Sequence, residues 1–309
     1  MKIIFLGTPK FAMKILEVLT QSRHNVVLVV CQPDKAVGRG KKVQESDVKV
    51  FAKSQNIPVL QFEKIREQGL DALKNVDADI MITAAYGQIL SEEILNLKKY
   101  GIINVHGSLL PQYRGPAPIQ WAIINGEKTT GITIMQTDKG MDTGDILLQK
   151  EIKIEKSETA EPLFLRLADV GGGLLLQALD QIESGTVKKC PQDEKFSSYF
   201  PMLKKEIGKI DFKKTCNEIV NLIRGLNPWP LAYFEIQTEK FKVFSASITD
   251  LQTLGECGEV LVSDSKNGLI VQCRDGRISI DEICVAGSKR MPTKCYLNGK
   301  KIEKGTMLI

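Results

Sequence analysis

Histidine is scarce in this chain: there are two, His24 and His106, against 42 lysines and arginines. They are too far apart in sequence to suggest metal ligation, and the seven cysteines (Cys31, Cys190, Cys216, Cys257, Cys273, Cys284, Cys295) contain no Cys-x-x-Cys pair. A metal site and a disulfide framework are therefore disfavoured. The cysteines read as buried apolar side chains of a protein in the reducing cytoplasm. His24, at a helix-to-strand turn, reads as polar surface. The first turn is Gly7-Thr8-Pro9-Lys10-Phe11-Ala12 rather than Gly-x-Gly-x-x-Gly, which disfavours a nicotinamide or flavin dehydrogenase. No serine or cysteine nucleophile elbow is present. Met1 leads directly into the short strand Lys2 to Leu6, and no apolar run approaches the roughly 18 residues of a membrane span, so a soluble protein with no membrane partner is expected. The net charge of +5 allows contact with a polyanion without requiring it. Its basic excess is local: Lys35, Arg39, Lys41 and Lys42 near one end, and Lys289, Arg290, Lys294, Lys300, Lys301 and Lys304 near the other. Such runs are either solvated faces or polyanion contacts.

With 309 residues the chain has room for two domains. Short apolar strands near 2–6, 25–31, 57–60, 79–84 and 101–105 alternate with helical patterns near 10–21, 46–55, 64–74 and 91–98. Strand patterns at 131–136 and 146–154 and a helix over 159–182 follow. This alternation predicts an α/β domain over 1–189, a Rossmann-like, mostly parallel sheet covered on both faces. Gly171, Gly172 and Gly173 inside the long helix should each cost about 1 kcal/mol against alanine. Polar residues with Pro191 and Pro201 mark a linker over 190–208. A helix at 212–224, broken by Gly225-Leu226-Asn227-Pro228-Trp229-Pro230, then precedes short strands near 232–237, 240–246, 258–262, 269–273, 277–284 and 306–309. That pattern predicts a small OB-like β-barrel over 209–309. Trp229, between two prolines, reads as a packing anchor for the domain junction or as a ring for stacking on RNA.

The chemistry concentrates at the end of the strand 101–105. Asn104 and His106 are two residues apart and so share one face, at the strand end where open α/β sheets bind ligands. A side-chain amide can donate to an oxyanion and a histidine can pass a proton near neutral pH. A carboxylate from Thr137-Asp138-Lys139-Gly140-Met141-Asp142-Thr143-Gly144-Asp145 could set the charge of that histidine or accept a proton through water. The set suits attack of an amine on a carbonyl carbon. Read by itself, Asn-x-His is equally compatible with a structural histidine.

Asn104-Val105-His106, followed by Ser108-Leu109-Leu110-Pro111 and Tyr113-Arg114-Gly115 and later by Asp142-Thr143-Gly144-Asp145, resembles the signature of 10-formyltetrahydrofolate-dependent formyltransferases. Gly7-Thr8-Pro9, Gln32-Pro33-Asp34 and Gly38-Arg39-Gly40-Lys41-Lys42, with Gly208-Lys209-Ile210-Asp211-Phe212 and Asn227-Pro228-Trp229-Pro230, narrow the resemblance to members that act on methionyl-tRNA. The resemblance implies catalysis by Asn104, His106 and Asp142, and a 10-formyltetrahydrofolate carrier lying against Ser108, Leu109, Leu110 and Pro111. It also implies tRNA contacts from Arg39, Lys41 and Lys42, initiator methionyl-tRNA as partner, no metal, and a cytoplasmic monomer. Asp138 and Asp145 shape the loop. Departures are mild: Leu231 stands where relatives usually have glycine, and Met202-Leu203-Lys204-Lys205 replaces a hydroxyl residue before one lysine. Formyltransferases acting on sugar nucleotides or purine precursors, a formyltetrahydrofolate hydrolase, and a catalytically silent tRNA-binding factor are the rival readings.

Overall fold

The computed structural model describes residues 1–37 and 42–309, with the backbone alone of Val37 and Lys42. Its described elements are, in chain order, β1 (Lys2–Gly7), α1 (Lys10–Thr20), β2 (Asn25–Cys31), β3 (Lys35–Val37), β4 (Lys42–Gln44), α2 (Asp47–Ser54), β5 (Val59–Gln61), α3 (Ile65–Lys74), β6 (Ile80–Ala84), α4 (Glu92–Leu95), β7 (Ile102–His106), α5 (Pro118–Ile124), β8 (Thr129–Gln136), β9 (Ile146–Lys153) and α6 (Ala160–Glu183). Then come α7 (Cys216–Gly225), β10 (Ala232–Ile236), β11 (Glu239–Asp250), β12 (Val260–Asp264), β13 (Gly268–Cys273), β14 (Gly276–Val285), β15 (Met291–Pro292) and α8 (Thr293–Gly299). Two compact units result: one of Met1–Pro118, Thr129–Lys153 and Phe164–Pro201, the other of Ile119–Lys128, Ile154–Leu163 and Met202–Ile309.

In the first unit a seven-stranded sheet runs β5-β2-β1-β6-β7-β8-β9. The first five strands are parallel, as their largely apolar sequences suit strands covered on both faces, while β8 pairs antiparallel with β7 and β9 antiparallel with β8. The order reverses between β1 and β6, and β7 lies next to that switch point. Ser46 caps α2 by accepting from the Lys49 N–H, which satisfies a first-turn donor. The glycines of α6 have a packing reason. A Cβ at Gly171 would lie 3.1 Å from Val105 of β7, and one at Gly172 2.7 Å from Val18 of α1. Helix, sheet and α1 meet too closely for side chains there, whereas Gly173 faces nothing within 4 Å. α6 is long and apolar enough, by length and composition, to cross a membrane. That differs from the expectation that no such run exists; Leu167, Ala168, Leu175 and Leu179 of this helix are nevertheless buried within the protein.

The second unit is a small OB-like antiparallel barrel with strand order β10-β11-β14-β13-β12. The last residues close it: Ile309 exchanges backbone hydrogen bonds with Glu235 of β10, while Val260 of β12 donates to Thr306 O at 2.9 Å and Leu308 donates to Gly258 O at 2.9 Å. Phe234 and Phe241, stacked 5.0 Å apart, fill its core beneath α7. Thr215 and Glu218 form a capping box that starts α7. Gly225 ends it against α5, where a Cβ would lie 2.9 Å from Gln120 O. Leu231 holds φ +74°, the left-handed region in which the glycine expected of its relatives carries no Cβ penalty.

Several expectations are corrected. Trp229 is 54% exposed rather than an anchor in packing. Cys31, Cys216 and Cys273 are buried, and burial pushes the Cys216 thiol up to about 11, but Cys190 and Cys295 are exposed. α8 adds a helix that the expected strand pattern lacks. His24 is 6% exposed instead of polar surface, because its Nδ1 accepts from the Met1 ammonium at 3.3 Å. Burial first, and then the ammonium and Arg23, lower its pKa; Glu183 and Asp180 oppose this, both engaged by Arg23. Since the folded pKa lies below the ordinary 6.5, the unfolded chain binds the proton more readily. Stability is therefore retained above pH 6.5 and lost as the pH falls below it. Thermal melts between pH 7.5 and pH 5 should show a steeper fall in Tm for the native chain than for His24→Gln; parallel curves would refute the coupling.

Candidate active site

β7 delivers Asn104 and His106 to one face of the sheet, while Val105 between them faces α6. Asn104 lies opposite Thr83 of β6, whose hydroxyl donates to Asn104 Oδ1 at 3.0 Å. That bond commits the carbonyl end of the amide and leaves the Nδ2 donors for a substrate oxygen. His106, 6% exposed, has Nε2 3.0 Å from Tyr113 O and Nδ1 3.5 Å from Asp142 Oδ1. A carbonyl only accepts, so Nε2 carries a proton, and Nδ1 is the nitrogen turned to the carboxylate. At 3.5 Å this is a charge contact rather than a short hydrogen bond. Asp142 Oδ2 accepts from the Gly115 N–H at 2.9 Å, and its backbone takes φ +56°, which Asp tolerates better than most residues. Gly144 follows because a Cβ there would lie 1.8 Å from Gln136 O. Asp138, by contrast, accepts from the Gly140 N–H and Thr143 Oγ1 within the loop.

The expected carrier shelf, Ser108 to Pro111, adjoins His106, but its side chains are spent on folding it. Ser108 Oγ donates to Gln112 O at 2.7 Å, and Leu110 is buried. Thr133, paired with His106 across β7 and β8, holds this turn from below: its hydroxyl donates to Ser108 O at 2.7 Å and accepts from the Leu110 N–H at 3.1 Å. Gly131, two residues earlier, makes room for Leu109, which a Cβ would approach to 2.5 Å.

Arg39 and Lys41 lie outside the described residues, as does the side chain of Lys42. The base of their loop is described: β3 and β4 pair as a short hairpin, and Lys49 Nζ bonds Asp34 Oδ2 at 2.6 Å and Gln61 Oε1 at 2.9 Å. The Lys49 hydrogen bond lowers the pKa of the Asp34 carboxyl. A cavity of about 860 Å³, unforeseen in the sequence, opens at the other end of β7, where Gln136 and Thr137 begin the aspartate loop, with Lys98, Lys99, Lys139 and Lys189 in its wall. Among the described residues no group of three His, Cys, Asp or Glu side chains could hold a metal.

The Rossmann-like sheet and the small barrel are those of a formyl transferase. Residues 1–179 match the formyl transferase family and residues 202–301 the formyl transferase C-terminal domain. The chain belongs to the methionyl-tRNA formyltransferase family. It is 46% identical over 310 residues to the methionyl-tRNA formyltransferase of Ruminiclostridium cellulolyticum, covering 100% of this chain and 99% of that one. With the enzyme of the same name from Acetivibrio thermocellus it shares 44% over 309 residues, covering 100% and 99%. The crystal structure of WlaRD, a sugar 3N-formyl transferase in the presence of dTDP and 5-N-formyl-THF, superposes with a TM-score of 0.70 at 24% identity, over 94% of this chain and 99% of that one, a likeness of fold.

Proposed function

We propose that the chain transfers the formyl group of 10-formyltetrahydrofolate to the free amine of methionine on initiator methionyl-tRNA, yielding formylmethionyl-tRNA and tetrahydrofolate. The observation that carries this reading is the meeting of Asn104, His106 and Asp142, two strand-end residues and one loop carboxylate, in a chain 46% identical to such an enzyme. The amine nitrogen bonds to the formyl carbon, the bond from that carbon to N10 of the folate breaks, and a proton passes from the amine to N10. Asn104 Nδ2 and the Nδ1 edge of a protonated His106 stabilise the oxyanion. Asp142 holds that edge and orders the water that relays the proton. The 108–111 turn supports the folate carrier.

Arg39, Lys41 and Lys42 engage the acceptor end of the tRNA by charge. The exposed Lys289, Arg290, Lys294 and Lys300 serve its phosphates in the C-terminal part, from 209 onward. A catalytic part over 1–189, a monomeric state and a cytoplasmic setting belong to the same reading. The test offers the protein 10-formyltetrahydrofolate with methionyl-tRNA, an amino-sugar nucleotide, a purine-precursor amine or water alone. Formylation of methionyl-tRNA is expected, and consumption of the folate with any other acceptor alone would sink the reading. Raising salt from about 50 to 200 mM should raise the KM for methionyl-tRNA at least tenfold. Arg39→Ala should raise that KM several-fold more than the KM for the folate; a salt-independent KM would remove the charge argument.

A further inference from the structure

We propose that Gln192 is a positioning residue for Asp142, an assignment that rests on the formyl-transfer reading above. Its side-chain amide is bonded through both its nitrogen and its oxygen. Nε2 donates to Asp142 O at 2.9 Å and to Gly144 O at 2.8 Å, so one NH2 group ties both carbonyls that flank the turn carrying the carboxylate. Oε1 accepts from Arg114 Nε at 3.1 Å and Nη2 at 2.8 Å. A guanidinium only donates, which fixes the amide's orientation: oxygen toward Arg114, nitrogen toward the aspartate turn.

Arg114 is itself immobilised. It is 7% exposed, its Nη1 and Nη2 bind Glu194 Oε2 and Oε1 at 2.9 and 2.8 Å, and its N–H donates to Ser198 O at 2.8 Å. The Arg114 hydrogen bonds lower the pKa of the Glu194 carboxyl. Gly115, the next residue, supplies the N–H that receives Asp142 Oδ2. Both ends of Asp142, the carboxylate through Gly115 and the backbone carbonyl through Gln192, are thus referred to one guanidinium. This matters because the aspartate sits at φ +56°, a sparsely used conformation that its surroundings must hold, and because the charge contact with His106 at 3.5 Å depends on where the loop stops. A residue that only glued the 190–200 segment to the body would need its bond to Arg114 and nothing more.

Two variants separate these roles. Gln192→Ala removes both halves. Gln192→Glu keeps an acceptor for Arg114 but sets a carboxylate against two carbonyls, removing the donors alone. The full chain is assayed for formylation of methionyl-tRNA well below the lowest Tm of the set, so that every variant is folded when measured. The expected result is a fall in kcat of about tenfold or more in both variants, with the KM for methionyl-tRNA and for 10-formyltetrahydrofolate within about twofold of the native values. Near-native kcat in Gln192→Ala would overturn the proposal. So would recovery in Gln192→Glu, which would leave only the tie to Arg114, or a change confined to KM. If the native chain does not formylate methionyl-tRNA, it is the function that fails; if it does and the variants match it, Gln192 has no positioning role.

Discussion

His106→Ala is expected to lower kcat for formylation of methionyl-tRNA by about 100-fold or more, the usual size of one lost acid–base or oxyanion contribution. Asp142→Ala should do the same. The two losses have different routes to the same deficit. Without the imidazole the oxyanion keeps only the Asn104 amide, and the bond from Nε2 to Tyr113 O is gone. Without the carboxylate the imidazole loses the charge that faces Nδ1, and the Gly115 N–H loses its acceptor. Because the pair acts as a unit, the double variant should be little slower than either single one, whereas independent contributions would multiply. Asp142→Asn adds a finer comparison: its Oδ1 can still receive the Gly115 N–H, so the loop should stay in place while the charge is lost. A kcat for Asp142→Asn near that of Asp142→Ala would assign the effect to charge. Near-normal turnover in His106→Ala and Asp142→Ala, measured with Tm unchanged, would remove both residues from the mechanism.

What made these residues legible in advance was chemistry carried on local spacing. Asn104 and His106 are two apart on an apolar strand, and a period of two puts them on one face whatever the rest of the chain does. Asp142 stands in a turn-forming run of aspartates and glycines, although nothing local distinguishes it from Asp138; the resemblance to formyltransferases made that choice. The supporting residues carry no such mark. Thr83 and Thr133 are ordinary strand threonines until β6 and β8 are known to flank β7, and that order arises from sheet pairing across long separations. Gln192 and Glu194 lie in a polar, proline-marked stretch that reads as a spacer, and their value comes from meeting Arg114 in space. Gly171 and Gly172 look like a defect in a helix until Val105 and Val18 are found against them. The barrel is legible in its strand pattern, but its closure by residues 305–309 depends on pairing with both β10 and β12. His24 departs from the usual wet turn because the Met1 ammonium donates to its Nδ1, a partner 23 residues away in the chain.

Thr133→Val tests whether the turn at 108–111 supports the folate. Thr133 is fully buried, and its hydroxyl is saturated: one hydrogen donated to Ser108 O, and two lone pairs receiving the Leu110 N–H and Gln149 Nε2, the last at 2.9 Å. Valine has the same shape, so the substitution deletes three bonds without opening a cavity. Gln149 keeps its second acceptor, Leu110 O at 2.7 Å, but Ser108 O and the Leu110 N–H lose the partner that this hydroxyl supplied. Each buried polar group left unpaired costs about 1–3 kcal/mol, so for the two groups a loss of about 2–6 kcal/mol in unfolding free energy is expected from urea titration. The turn can regain those bonds only by moving toward water, which shifts the backbone of Ser108 to Leu110. If that backbone carries the folate, the KM for 10-formyltetrahydrofolate should rise by about tenfold while the KM for methionyl-tRNA changes little. Thr133→Ser restores the hydroxyl and removes one methyl group, worth about 0.8 kcal/mol, so it should return the folate KM to within about twofold of native. A destabilised Thr133→Val with an unaltered folate KM would show that the turn is structural and that the carrier binds elsewhere on the face.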